Sequence, residues 1–393
     1  MTPLHKQAIV VGAGLAGAAT ARALAERGWD IKVLEMADSL GQGGSGVPVG
    51  VMSCHVSVDD NPLSQLTREG MQWTRRFAQA HLEEGIDWLG NGVLERRLSP
   101  VGTDKKAWQE PAEGSVWQGH VLLASDEQLA QADLAPSSTQ SLWQGQGGWI
   151  KPQALVQALL NHNNISVLRG AEVESMQRQA SGEWQLRVKT HNRSSFTCSS
   201  ETVPHVVLAL GAHIRDFLNQ VLHVDHMGLH PIAGMVSWGL QDGITGLPPF
   251  AVNGHGSFVS GVPTQGGAAW YTGATFERHA MQAATDEAAQ NENQQRLGEL
   301  LPAVGARLQA QFANTAHMKT WGGVRCASVN RLPKLGPLDD QQFPGLYILA
   351  AMGSRGLTHS LLCAEILAAQ IEKSKPPVSE RLLKAMRCQL LNV

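Results

Sequence analysis

Little in this chain is charged, sulfur-paired or tyrosine-rich. Tyrosine occurs only 2 times, and aromatic residues reach only 5% of the 393 positions. Charged residues make up 17%, below the usual figure of about 25%. That balance excludes a disordered chain and a long coiled coil. The 5 cysteines are Cys54, Cys198, Cys326, Cys363 and Cys388, odd in number and widely scattered. No Cys-x-x-Cys pair occurs, which argues against a zinc site and a disulfide framework and suits a reducing compartment. No metal site is expected. No apolar run approaches the 18 or so residues of a membrane span, and the short polar start is not a signal peptide. The expected location is cytoplasmic. Net charge is −3, so no polyanion partner is announced globally.

What is present is a large apolar fraction, 43%, and 41 glycines. At about 150 residues per domain, the length suits two to three domains. The apolar run Ala8 to Val11 reads as a buried parallel strand, Ala16 to Arg27 as a helix stopped by Gly28, and Ile31 to Leu34 as a second strand. Between the first strand and the helix lies Gly12-Ala13-Gly14-Leu15-Ala16-Gly17, a G-x-G-x-x-G. Gly12 permits the tight turn, Gly14 lets a pyrophosphate approach the backbone, and Gly17 allows close helix–strand packing. Glu35 ends the second strand, where an acid binds a ribose hydroxyl pair. The motif alone does not separate FAD from NAD; its place at the start of interleaved domains favours FAD.

Two further glycine-rich segments extend the pattern. Gly43-Gly44-Ser45-Gly46 follows the ribose acid, and such a loop can run beneath a pyrophosphate. Gly353-Ser354-Arg355-Gly356-Leu357 joins a buried strand to an apolar helix whose N-terminus would stabilise negative charge on a reduced flavin. Ile165–Leu168 reads as a short strand, and buried strands of Rossmann character also occur at His205–Leu210, ending at Gly211, and at Leu346–Ala351. Val173 lies on a short strand from Ala171. Helices are expected over Asn61–Glu84, from Pro152 to about Asn161, over Asp286–Leu301 and over Leu357–Ile371. The fold class is therefore α/β: a Rossmann-type FAD-binding domain interleaved with a β-rich substrate domain, with a ligand between them. The expected divisions are 1–94, 147–225 and 323–375 for the FAD domain, 95–146 and 226–322 for the substrate domain, and a basic tail at 376–393.

These motifs, with Gly147-Gly148-Trp149-Ile150-Lys151-Pro152 and Leu208-Ala209-Leu210-Gly211-Ala212, occur in an order that resembles the D-amino-acid oxidase-like flavoproteins. Within that superfamily the chain is most similar to the FAD-dependent half of bifunctional enzymes that modify the wobble uridine of tRNA. Gly323-Val324-Arg325-Cys326-Ala327, Arg331-Leu332-Pro333, the Gly353–Leu357 segment and Leu362–Gln370 carry that closer likeness. So do Tyr271–Phe276 and Glu292–Leu297. The resemblance implies oxidation of the secondary amine in a 5-carboxymethylaminomethyl group, with loss of the carboxymethyl part as glyoxylate. It also implies a tRNA partner and a methyltransferase, which is missing from this chain and would be a separate partner. The family's Arg-Gly-Gln after a proline reads here as Ala233-Gly234-Met235.

Hydride removal from a carbon beside an amine needs position and charge rather than an obligatory acid or base. Arg325 can clamp a substrate carboxylate, the alternative being a structural ion pair. Arg355 can face substrate or flavin, and Tyr271 is either catalytic or a packed strand residue. His55 is read as a loop histidine and Cys326 as a buried, unreactive thiol. Lys373, Lys375, Arg381, Lys384 and Arg387 face Glu380 alone in the tail, and Arg68, Arg75, Arg76, Arg96, Arg97, Lys105 and Lys106 add positive charge that can meet phosphates. Two alternatives stay open: a small-molecule secondary-amine or amino-acid oxidase of glycine- or sarcosine-oxidase type, and a flavoprotein subunit that needs a partner chain.

Overall fold

The structure is a computed structural model. It describes all residues except 1–5, 99–107, 110, 112, 137–139, 193–194, 225–227, 315–317 and 389–393. The chain forms two compact units. One comprises Met1–Gly46, Pro152–Ile232 and Val324–Val393; the other comprises Val47–Lys151 and Ala233–Gly323.

The first unit is organised by a six-stranded sheet. Its order is Lys334–Pro337, Leu346–Ala350, His205–Leu208, Gln7–Val11, Asp30–Glu35, Ile165–Arg169. All neighbours are parallel except the first pair. Parallel strands need both faces covered. The Leu15–Ala25, Pro152–Leu160 and Gly356–Ile371 helices pack together. The antiparallel sheet Ala171–Arg178, Trp184–Asn192, Ser195–Val203 contributes Val173, Trp184, Leu186 and Val188 to a core shared with Ile9, Val11, Leu34 and Leu208. The alanine-rich face of Leu15–Ala25 lets the Gly356–Ile371 helix approach closely, and a Cβ on Gly356 would sit 3.2 Å from Leu15 Cδ1.

The second unit is built on a nine-stranded sheet that includes Leu229–Leu240, Gly267–Gly273, Gly256–Thr264, Ala251–Gly254 and Val93–Arg96, with Met318–Ser328 paired on Leu229–Leu240. Alternation sorts its side chains. Trp270 and Phe258 join Leu297, Leu300, Leu308 and Phe312 from the Asp286–Leu300 and Pro302–Phe312 helices. Tyr271, Val236, Val259 and Val262 lie in a separate cluster with Trp149. A small sheet pairs Gly148–Ile150 with Gly50–Met52 and Trp88–Leu89. Gly148 is required there, because a Cβ would lie 1.9 Å from the Leu89 carbonyl oxygen.

The boundaries differ from the sequence-based divisions. Residues 47–94 fall in the second unit, not with the nucleotide motif. Their strands pair with Gly148–Ile150 and with the nine-stranded sheet. Of the expected tail, the described residues 376–388 belong to the first unit rather than standing apart; 389–393 lie outside the described residues. A helix, Glu380–Met386, forms there and buries Leu382 and Met386.

All five cysteines are free, and only Cys198 is exposed. Burial pushes the Cys54 thiol up to about 12, Cys326 up to about 11 and Cys388 up to about 12, and raises Cys363 as well. Since the thiolate is the reactive form, a thiol reagent at neutral pH should label the native protein at Cys198 alone and the denatured protein at all five. Mass spectrometry of tryptic peptides reads the difference.

Candidate nucleotide and flavin site

The site is assembled around the turn between the Gln7–Val11 strand and the Leu15–Ala25 helix. Gly12 adopts φ +104°, and a Cβ there would lie 2.4 Å from the Ala209 carbonyl oxygen. A Cβ on Gly17 would lie 1.8 Å from the Gly12 carbonyl oxygen. Neither position tolerates a side chain. The turn is locked from the next strand: Gly12 N donates to Leu34 O at 2.8 Å, and Ala13 N donates to Glu35 Oε2 at 2.7 Å. The other carboxylate oxygen accepts from Ala37 N at 2.9 Å. Glu35 thus shapes the turn as well as standing where a ribose acid stands.

Side-chain caps begin four of the helices. Pro62–His81, Asp126–Gln131, Asp286–Leu300 and Glu380–Met386 start at Asn61, Ser125, Thr285 and Ser379, whose side chains accept backbone N–H bonds. Leu15–Ala25 and Gly356–Ile371 have no side-chain cap from their own N-cap residues and no acid in the first turn. The helices at Ile214 and Pro302 also lack such caps, but the first carries Asp216 in its opening turn and the second begins on proline. Uncapped amides and helix dipole make an anion site. Gly43–Gly46 folds as a short 3-10 turn rather than an open loop. Its Ser45 Oγ accepts from Leu15 N at 3.0 Å, and a Cβ on Gly14 would meet that hydroxyl at 3.1 Å.

The other segments of the first unit converge on this turn. A Cβ on Gly44 would lie 3.2 Å from Val324 O and 3.5 Å from Arg325 Cγ. Gly353 N donates to Cys326 O at 2.8 Å, tying the second helix start to the Arg325 strand. Gly211, at φ +55°, opens a 3-10 turn in contact with Gly43–Gly46. Gly12, Ala13, Gly14, Leu15, Ala16, Gly17, Glu35, Gly44, Ser45, Gly46, Gly211, Arg325 and the Gly353–Leu357 turn therefore share one region. Burial lowers the Arg325 guanidinium from its ordinary value, yet arginine remains charged at neutral pH. Arg355 is the N-cap of the second helix. Val173 sits in the hydrophobic core at a register shift in its strand. Tyr271 belongs to the second unit, where it is buried and stacks on Trp238 with centroids 5.3 Å apart. Burial pushes its phenol up to about 12.

Most of the scattered positive charge is spent internally. Arg68 is buried and pairs with Asp60 at 2.6 Å; Arg75 donates to Gln146 O at 2.9 Å. Arg96 donates to Leu300 O, and Arg97 pairs with Glu95 at 3.3 Å. Arg76 stays exposed over Trp73. Lys105 and Lys106 lie outside the described residues.

Sequence reasoning missed His359. It sits fully buried in the first turn of the Gly356–Ile371 helix, 1% exposed, and neither ring nitrogen makes a hydrogen bond of normal geometry. Helical side chains lean toward the N-terminus, which turns this ring toward the Gly353–Arg355 turn. Burial first, then the Arg355 charge, pushes its pKa down to about 3. A lone histidine in an apolar helix carries no spacing signal that could have marked it.

A glycine-only βαβ turn, with its carboxylate at the end of the next strand, is the geometry of a dinucleotide-binding α/β protein. The comparisons give the family. The chain matches "DAO: FAD dependent oxidoreductase" over residues 7–370 and belongs to that family. It is an FAD-dependent oxidoreductase. It is 41% identical over 389 residues to the "tRNA 5-methylaminomethyl-2-thiouridine biosynthesis bifunctional protein MnmC" of Polaromonas sp. (strain JS666 / ATCC BAA-500), covering 97% of this chain and 59% of that protein. The protein of the same name from Polaromonas naphthalenivorans (strain CJ2) is 40% identical over 395 residues, covering 98% and 60%. The chain thus spans about three fifths of the length of these relatives. In fold it is similar to glycine oxidase from Geobacillus kaustophilus, with TM-score 0.72 and 18% identity over 99% of this chain and 100% of that one. The glycine cradle, the Leu15–Ser45 contact and the two uncapped helix starts fit FAD's pyrophosphate and the anionic edge of its flavin.

Two outcomes test this geometry. Gly17→Val should abolish FAD retention, whereas Ser45→Ala should weaken FAD binding by about fivefold, the worth of about one hydrogen bond; fluorescence titration of the apoprotein reads both. His359 is neutral when folded, while the unfolded chain protonates near pH 6.5, so stability should fall as pH drops from about 6.5 toward 3. The slope from this group is about 1.4 kcal/mol per pH unit. Urea titrations of His359→Ser between pH 6.5 and 4.5 should show a shallower fall than the wild type.

Proposed function

We propose that this chain oxidises the 5-carboxymethylaminomethyl group of wobble uridine in tRNA, releasing glyoxylate and leaving the 5-aminomethyl form. The observation that carries the reading is 41% identity, over 97% of this chain, to a protein named for 5-methylaminomethyl-2-thiouridine biosynthesis in tRNA. Substrate, tRNA partner, a methyltransferase that acts next and a cytoplasmic location all belong to this proposal.

FAD, when bound, would supply the acceptor for the hydride taken from the carbon beside the amine; water would then add to the resulting C=N bond and split it into glyoxylate and the primary amine. The chain's residues supply position and charge. Gly12, Ala13, Gly14, Leu15, Ala16 and Gly17 receive the pyrophosphate on the backbone, with Ser45 donating its hydroxyl proton toward it. Glu35 accepts from the ribose. Gly44, Gly46, Val173 and Gly211 flank the cofactor. The Gly353, Ser354, Arg355, Gly356 and Leu357 turn would lie against the flavin's anionic edge, with the dipole of the helix it opens; the Gly353 and Arg355 amides themselves hold the turn through Cys326 O and Met352 O. Arg325 holds the substrate carboxylate. Support for that role is its burial and the tie from Cys326 O to Gly353 N, which sets it beside the flavin turn. Tyr271, stacked on Trp238, offers a hydroxyl that burial keeps protonated.

The test is anaerobic mixing of holoprotein with tRNA bearing the carboxymethylaminomethyl group. Flavin absorbance should bleach, and digested tRNA should contain the aminomethyl nucleoside. No bleaching by that tRNA, together with turnover of free glycine or sarcosine and peroxide release, would overturn the reading.

A further inference from the structure

The cations of the C-terminal segment contrast with those spent inside the second unit. Lys373, Lys375, Arg381, Lys384 and Arg387 are all exposed. None is in an ion pair among the described residues. Glu380 is the acid among them; Glu372, just before, is tied to Lys6, Arg27 and Trp29.

The segment is fixed to the first unit, so these charges are held in place. Ser379 Oγ accepts from Leu382 N at 3.3 Å and starts the helix. Leu382, Met386 and Cys388 are 2%, 0% and 6% exposed. Asn330 Nδ2 donates to Ala385 O at 3.2 Å, and Arg387 forms a β-bridge with Leu335. Arg381 and Lys384 are three residues apart and share one helix face. Arg331, exposed and at φ +61°, follows the residue that grips Ala385 and adds a further cation beside the helix.

We propose that the Lys373–Arg387 segment, with Arg331, is a docking surface for the phosphate backbone of the RNA substrate. This rests on the tRNA reading and extends it from the reacting nucleoside to the rest of the molecule. The charge is concentrated on a chain whose net charge is −3, so the surface is local rather than a general basicity. The anchored backbone spares the segment its own ordering cost on meeting phosphates, and each contact releases counterions. An anionic membrane fits less well. Membrane-surface helices insert an apolar face, and here Leu382 and Met386 are already buried in protein.

The experiment measures binding of unmodified tRNA transcript to FAD-loaded full-length protein across a salt series. Wild type is compared with R381A/K384A/R387A and with R381K/K384R/R387K. The alanine variant should lose about tenfold or more in affinity, and its slope of log K against log salt should flatten by about 2 to 3. The charge-keeping variant should bind as wild type, and flavin absorbance and thermal midpoint should stay unchanged in all three. Unchanged affinity and slope in the alanine variant would overturn the surface, even if modified tRNA still bleaches the flavin. Flattened slopes without bleaching would leave the surface standing and overturn the reaction. Sedimentation with phosphatidylserine vesicles and no retention of RNA would overturn it too.

Discussion

The close approach of backbone to backbone at Gly12 and Gly17 is the constraint on which the rest of the first unit depends. One glycine lies under the Ala209 carbonyl and the other under the carbonyl of the first. A methyl group at either would push the Leu15–Ala25 helix off its strand. The amides at the helix start would then no longer face the space beside Ser45, and the Gly356–Ile371 helix, packed on Leu15, would shift with it. The anion site is therefore a property of packing rather than of any single charged side chain. This is consistent with the lack of an acid in either opening turn.

That origin explains what was legible. Gly12, Gly14, Gly17 and Glu35 were readable because backbone sterics fix their spacing. The long helices were readable from periodic apolar residues, with ends shifted by a few positions: Asn61–Glu84 is observed as Pro62–His81. The strand Ser195–Val203 escaped notice because its sequence is mostly polar, with no apolar alternation, and is held by its antiparallel neighbour instead. The helix Pro302–Phe312 did carry a signal, proline at its first turn and Val304, Leu308 and Phe312 at helical spacing. Charge was the least legible quantity. Arg68 and Arg97 look like surface cations in sequence, but the fold brings Asp60 and Glu95 to them.

The two units carry different parts of the site expected from the sequence. The first carries the glycine turns, Arg325 and Arg355; the second carries Tyr271 on a sheet whose neighbouring helices enclose Trp270. Composition foreshadowed this in part. With only 2 tyrosines, ring contacts in the second unit rely on tryptophan: Trp238 stacks on Tyr271, while Trp143 meets Phe250 and Trp108 meets Trp117 edge to face. These rings bury large area, and among the described residues the buried indole N–H groups of Trp108 and Trp117 find no hydrogen-bond partner.

The β-bridge between Arg387 and Leu335 has a consequence beyond charge. Lys334–Pro337 is the outermost strand of the six-stranded sheet, and an open strand margin invites pairing with another molecule. Arg387 bridges to that margin and occupies it at Leu335. Shortening the C-terminus would therefore do more than remove cations: it would uncover a sticky border, and self-association would follow from a deletion made far from the flavin turn.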